Sequence, residues 1–105
     1  MNVAVVMGGY SDESVISLRS GQLILNHIDK AKYKAFEVHI LLNDWYCLID
    51  GVKYPINKAD FTFTKDNQTT TFDVIVNTVH GTPGEDGHLQ SYWELVDLPY
   101  SGCNF

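Results

Sequence analysis

A short apolar run at the start of the chain, followed at once by two glycines, most constrains the fold. Residues 2–7 (NVAVVM) are rich in β-branched side chains, with no polar residue between Val3 and Met7. Such a run predicts a strand that is buried on both faces, as in a parallel sheet. Gly8-Gly9 then predicts a tight turn that ends this strand.

A helix is predicted to follow this turn. Ser11 is a favourable N-cap, with Asp12 and Glu13 in the first turn, and the helical pattern runs to about Asp29. Gly21 on its inward face predicts a close approach to the sheet. The other inward residues are Leu18, Ile24, Leu25 and Ile28.

Extended patterns fill the middle of the chain. Residues 35–42 (AFEVHILL) predict a second strand, and residues 44–49 and 52–54 predict a hairpin around Asp50-Gly51. The polar residues 57–71 predict an exposed loop with room for a short irregular strand. Residues 72–76 (FDVIV) predict another buried strand.

The last third of the chain repeats the strand, loop and helix order. Residues 80–87 form a predicted loop with three glycines and a proline, and Asp86 is a predicted cap for a helix to about Val96. Leu89, Trp93 and Val96 are its predicted inward residues, and residues 100–101 begin a last short strand. The alternation predicts an α/β fold: an open, mostly parallel sheet flanked by helices, with a small hairpin insertion.

Two loops carry the candidate site residues, because both leave the carboxyl ends of apolar strands, where open α/β sheets bind ligands. In residues 8–13, Glu13 suits a cation such as an ammonium, whereas the alternative is that Ser11 to Glu13 only start a helix. In residues 80–87, His80 beside Glu85 suits a zwitterion. The alternative there is a turn with a capping Asp and a histidine bonded to the backbone.

Composition excludes several classes of partner. The net charge is −6 and the seven lysines and arginines are scattered, which argues against a nucleic-acid surface. No apolar stretch is long enough to span a bilayer, and residues 1–9 lack the basic segment of a signal peptide, so we expect a cytoplasmic protein. Cys47 and Cys103 lack CxxC spacing, which predicts reduced thiols and no metal site.

Two segments together resemble the D-alanine–D-alanine ligases of the ATP-grasp superfamily. Residues 3–21 (VAVVMGGYSDESVISLRSG) resemble that family's opening strand, Gly-Gly loop and Ser-x-Glu helix start. Residues 80–102 (HGTPGEDGHLQSYWELVDLPYSG) resemble its HGxxGEDGxLQ motif, the following helix and LPYxG. The resemblance implies a Rossmann-like (pre-ATP-grasp) amino-terminal domain over residues 1–105.

The resemblance also implies site roles. The family joins two D-alanines through an acyl-phosphate, with ATP and Mg²⁺, to make the dipeptide of peptidoglycan. Glu13 matches the acid that meets the first substrate's ammonium, and His80 matches a histidine near that substrate. Glu85 matches a supporting acid, and Gly8-Gly9 matches the loop that shapes the pocket. Val15 departs from a second Glu that is common in the family.

The resemblance implies that the nucleotide and magnesium contacts belong to central and carboxy-terminal ligase domains outside these residues. We therefore expect these 105 residues to bind neither ATP nor Mg²⁺ and to be inactive alone. A homodimer is implied, with an apolar patch near residues 99–105. The alternative is a free-standing flavodoxin-like module that binds its own ligand or nucleotide, although no cofactor fingerprint is complete.

Overall fold

The computed structural model describes residues 1–8, 14–41, 44–78, 88–96 and 98–102, with side chains at all of these positions except 14–16, 88–91 and 101–102. The strands and helices alternate much as the sequence predicts. They are β1 (Asn2–Gly8), α1 (Ser14–His27), β2 (Lys34–Leu41), β3 (Asp44–Ile49), β4 (Val52–Pro55), β5 (Phe63–Lys65), β6 (Gln68–Thr70), β7 (Val74–Asn77), α2 (His88–Leu95) and β8 (Tyr100–Gly102).

Within the described residues, the main sheet has six strands in the order β4-β3-β2-β1-β7-β8. β1 is parallel to both β2 and β7, and β7 is parallel to β8. The β3 and β4 strands extend the sheet beyond β2 in antiparallel pairs. The predicted mixed α/β fold with a mostly parallel sheet is therefore confirmed.

The turn between β3 and β4 lies where the sequence predicts it. Asp50 and Gly51 both have positive φ angles, 51° and 79°. Two successive residues of this kind form the turn whose twist matches that of paired strands. Ile49 and Val52 consequently face each other across the pair.

One side of the sheet is covered by α1, which packs on the central strand. Val3, Val5 and Met7 form the buried part of this layer. The predicted inward face of α1 is confirmed, because Leu18, Ile24 and Leu25 pack against them, and Ile28, directly after the helix, does so as well. Helix α1 ends at His27, two residues before the predicted end, and its predicted cap Ser11 lies outside the described residues.

Close contact between α1 and β1 depends on Gly21. A Cβ atom built at Gly21 would lie 2.6 Å from Met7 Cε and 2.9 Å from Met7 Cβ. Both distances are well inside ordinary van der Waals contact, which begins at about 3.5 Å between carbons. The absent side chain of Gly21 therefore sets the distance between the helix and the sheet, as the sequence predicts.

The prediction of an exposed loop over residues 57–71 is wrong for its two phenylalanines, whereas the short strand that it allowed for is present. Phe61 is fully buried and Phe63 is 2% exposed. The segment also forms a separate two-stranded sheet from β5 and β6. The polar composition of the segment does not indicate that Phe61 and Phe63 are buried, because their burial depends on tertiary contacts with other elements.

Those contacts close the second side of the main sheet. The Phe61 ring lies 6.1 Å from that of Trp93 on α2, and the Phe63 ring lies 5.6 Å from that of Phe36 on β2. The Tyr92 hydroxyl also donates a 2.6 Å hydrogen bond to the Lys58 carbonyl oxygen. Residues 57–70 and α2 together thus cover a face that α2 alone is too short to cover.

Candidate functional site

The described ends of β1 and β7 mark the edge of the sheet where both candidate loops begin. The two strands are parallel neighbours, with Val6 beside Asn77. The chain continues from Gly8 toward α1 and from Thr78 toward α2. Because parallel strands end at the same edge, the starting points of both loops lie side by side.

Gly8 is held tightly at this edge. It is buried, has a φ angle of 104°, and a Cβ atom at this position would lie 2.9 Å from the Ile40 carbonyl oxygen. Its backbone N–H donates a 2.9 Å hydrogen bond to Ser17 Oγ on α1. Both the backbone conformation and the close approach to β2 therefore require glycine at this position.

Thr78 ties the end of β7 to β1. Its backbone N–H donates to the Val6 carbonyl oxygen at 2.9 Å, and its Oγ1 donates to the same oxygen at 2.6 Å. Thr78 Oγ1 also lies 3.4 Å from the Ser17 carbonyl oxygen. Ser17 is fully buried and Thr78 is 2% exposed, so these polar groups satisfy one another away from bulk water.

Of the predicted site residues, Gly8 is the one within the described residues. Gly9, Glu13, His80 and Glu85 lie outside them. Sequence reasoning missed Ser17 and Thr78. Ser17 does carry a signal, because it lies four residues before Gly21 and so shares the helix face that contacts the sheet. No local sequence pattern indicates a role for Thr78.

Two histidines and a cysteine elsewhere in the described chain have structural roles. His39 Nε2 lies 2.6 Å from Glu37 Oε2, and the His39 ring stacks on Tyr46 at 5.0 Å. His27 Nδ1 lies 2.8 Å from the Leu23 carbonyl oxygen. Burial, reinforced by the charge of Glu37, raises the pKa of the Cys47 thiol to about 12. Cys47 is thus a neutral core residue.

Other kinds of site find no support in the described part of the chain. It contains no group of three or more His, Cys, Asp or Glu side chains placed to hold a metal ion. Neither described helix is both long and apolar enough to cross a membrane. A groove of about 1080 Å³ lies at the opposite end of the parallel strands, near Met1 and Lys34, and its lining omits the strand ends that begin the candidate loops.

Comparison with known proteins identifies the family. The family model described as D-ala D-ala ligase N-terminus matches residues 2–103. This chain belongs to the D-ala D-ala ligase N-terminus family. That membership favours the ligase interpretation over a free-standing flavodoxin-like module.

Individual members of the D-alanine–D-alanine ligases agree with this assignment. The D-alanine–D-alanine ligase of Flavobacterium psychrophilum is 79% identical over 105 residues, which are 100% of this chain and 32% of that relative. The chain thus spans about a third of that relative's length.

Solved ligase structures share the fold. The D-alanine–D-alanine ligase from Coxiella burnetii superposes with a TM-score of 0.85 at 32% identity, over 95% of this chain and 35% of that one. The ligase from Bacillus anthracis complexed with ATP has a TM-score of 0.62 at 29% identity, over 96% of this chain and 28% of that one.

Proposed function

We propose that these residues form the substrate-side domain of an enzyme that joins two D-alanines, with ATP hydrolysis, for peptidoglycan synthesis. The observation that carries this proposal is the family match over residues 2–103. The neighbouring ends of β1 and β7 support it, since the two loops with the family motifs start there. We also assign the sheet to the Rossmann-like, pre-ATP-grasp class.

In this proposal the two loops bind the first D-alanine. Glu13 pairs with its ammonium group, because a carboxylate at that position offers the opposite charge. His80 lies near the same substrate and Glu85 supports the second loop. The Gly8-Gly9 turn leaves room for the substrate, and the observed packing of Gly8 against Ile40 keeps that turn in place.

We propose that ATP and Mg²⁺ bind to other domains of the full-length enzyme. ATP is proposed as the phosphoryl donor, which the ATP-bound neighbour supports. Mg²⁺ would supply charge neutralisation during phosphoryl transfer. This chain spans 32% of the Flavobacterium psychrophilum ligase, and we assign the Mg²⁺ and nucleotide contacts to the central and carboxy-terminal ligase domains. ATP supply also favours the cytoplasm as the location.

A chimeric ligase tests the function. Residues 1–105 of this chain would replace the matching segment of the Flavobacterium psychrophilum relative, to which they are 79% identical. We expect D-alanine-dependent phosphate release from ATP by the chimera. We expect the 105-residue chain alone to release none, because charge stabilisation of phosphoryl transfer needs cations and metal that the proposal assigns elsewhere.

The same chimera tests the role of Glu13. Glu13→Gln should lower kcat/KM for the first D-alanine about thirtyfold, since a hydrogen bond to a charged group contributes about 2 kcal/mol. Asp12→Asn is the matched control, because it removes one negative charge from the neighbouring position. An inactive chimera that is folded, or equal effects of the two variants, would contradict the proposal.

We further propose that the chain self-associates as a homodimer near residues 99–105. Leu95 on α2 is 85% exposed, and β8 is the outermost strand at that side of the described sheet. Exposed apolar side chains and strand edges favour association. Leu95→Glu should shift the sedimentation profile toward monomer, whereas Val52→Glu at the opposite edge should not. A wild-type monomer at high concentration would refute the homodimer.

A further inference from the structure

Hydrogen bonds among buried polar groups connect the strand ends that begin the two candidate loops. The Gly8 N–H donates to Ser17 Oγ at 2.9 Å, and Thr78 Oγ1 lies 2.6 Å from the Val6 carbonyl oxygen. Thr78 Oγ1 also lies 3.4 Å from the Ser17 carbonyl oxygen. This network, Gly8–Ser17–Thr78, thus joins β1, α1 and the segment after β7.

The positions of these residues along the chain give the network its importance. Ser17 follows Glu13 by four residues in the sequence, and Thr78 precedes His80 by two residues. Gly8 is the last described residue before the first loop. A displacement of Ser17 or Thr78 is therefore transmitted along a short stretch of backbone to the residues proposed to meet the substrate.

The burial of the network restricts it to one arrangement. Ser17 is fully buried and Thr78 is 2% exposed, so water cannot readily replace a lost partner. Unpaired polar groups in such surroundings are strongly disfavoured. The network therefore sets the rotation of α1 about its axis and its position along that axis, relative to the end of β1. Apolar contacts alone constrain both less strongly, because the hydrophobic effect is not directional.

Thr78 has a second effect on the spacing of the loops. The last paired residues of β1 and β7 are Val6 and Asn77, so Thr78 continues the contact one residue beyond the strand pairing. It does so with both its backbone N–H and its hydroxyl on the Val6 carbonyl oxygen. The second loop thus starts from a point held against β1.

We propose that Ser17 and Thr78 are positioning residues for the first D-alanine. They hold the loop of Glu13 and the loop of His80 at the separation that the substrate requires, without touching it. This inference rests on the proposed ligase function. It adds two residues to the proposed site, Ser17 with its hydroxyl on α1 and Thr78 with its hydroxyl after β7.

The test uses the chimeric ligase with the variants Ser17→Ala and Thr78→Val. Each should raise KM for the first D-alanine about tenfold and leave kcat within about threefold, because small misplacements of binding groups weaken productive binding strongly. Thr78→Ser keeps the hydroxyl and should restore KM. Thr62→Val is the matched control: Thr62 is buried and its Oγ1 donates to Asp60 Oδ1 at 2.7 Å, among residues that begin neither loop.

A double-mutant cycle separates positioning from simple loss of stability. If Ser17 acts through Glu13, then Ser17→Ala should change KM little in a Glu13→Gln background. Activities are compared at a temperature at which denaturation curves show every variant folded. If Ser17→Ala is too unstable to purify, Thr78→Val, which preserves side-chain shape, tests the same network.

The outcomes distinguish this inference from the proposed function. If the chimera is active and sensitive to Glu13→Gln, but Ser17→Ala and Thr78→Val alter KM no more than Thr62→Val, the positioning role is refuted and the function stands. Full additivity of Ser17→Ala with Glu13→Gln refutes it as well. A folded but inactive chimera overturns the proposed function, and the positioning role with it.

Discussion

Replacement of Gly21 by alanine tests whether the contact between α1 and β1 controls stability. Helix propensity alone predicts that Gly21→Ala stabilises the chain, because alanine is favoured over glycine inside a helix by about 1 kcal/mol. The structure predicts the opposite sign. The new Cβ atom would lie 2.6 Å from Met7 Cε and 2.9 Å from Met7 Cβ.

The two contacts differ in how easily they are relieved. Met7 Cε is the end of a flexible side chain, but Met7 Cβ is attached directly to the backbone of the buried central strand. Helix α1 must therefore move away from β1, and overpacking of this kind costs about 1–3 kcal/mol. Subtracting the gain in propensity leaves a net loss of about 1 kcal/mol.

The assay is urea denaturation of the 105-residue chain, supported by thermal melting. A loss of about 1 kcal/mol in the free energy of unfolding corresponds to about 4–8 °C in Tm for a domain near this size. Asn26→Ala is the control, because Asn26 is exposed on the same helix and its replacement changes propensity without a new contact. Equal or greater stability of Gly21→Ala would refute the reasoning.

Two further predictions concern the core. Among the described residues, the buried Trp93 Nε1 has no hydrogen-bond partner. An unpaired buried donor costs about 1–3 kcal/mol, and Trp93→Phe removes that donor. This gain offsets most of the packing lost with the smaller ring, so we expect the free energy of unfolding to fall by less than about 1 kcal/mol in urea denaturation. Burial raises the pKa of Cys47 from 9.0 to about 12, so unfolding favours its thiolate and stability should fall as pH rises from 9.0 toward 12. Cys47→Ala should flatten that slope, and an unchanged slope would contradict this cause.

The candidate site shows where local pattern stops being informative. The glycines and acids of the two loops are visible in the sequence, and so is the expectation that both loops open at one edge. Ser17 and Thr78 are different, because a serine in a helix and a threonine after a strand are common in any chain. Their role depends on partners nine and 72 residues away, at Gly8 and Val6.

The covering of the second face of the sheet has the same explanation. Residues 57–70 are mostly polar, which favours an exposed loop by composition. Phe61 and Phe63 are nevertheless buried, because α2 spans eight residues and leaves part of that face to be covered. The sequence of residues 57–70 alone does not reveal how long α2 is, and therefore does not reveal that these residues must cover part of the sheet.

The sequence by itself determined the features that arise from near neighbours along the chain. The apolar runs of β1, β2 and β7, the turn at Asp50-Gly51 and the inward face of α1 follow from local sterics and periodicity. Tertiary structure alone decided which buried polar groups pair and which aromatic side chains close the core. Those choices depend on removal from water, and burial is a property of the assembled fold rather than of any one segment.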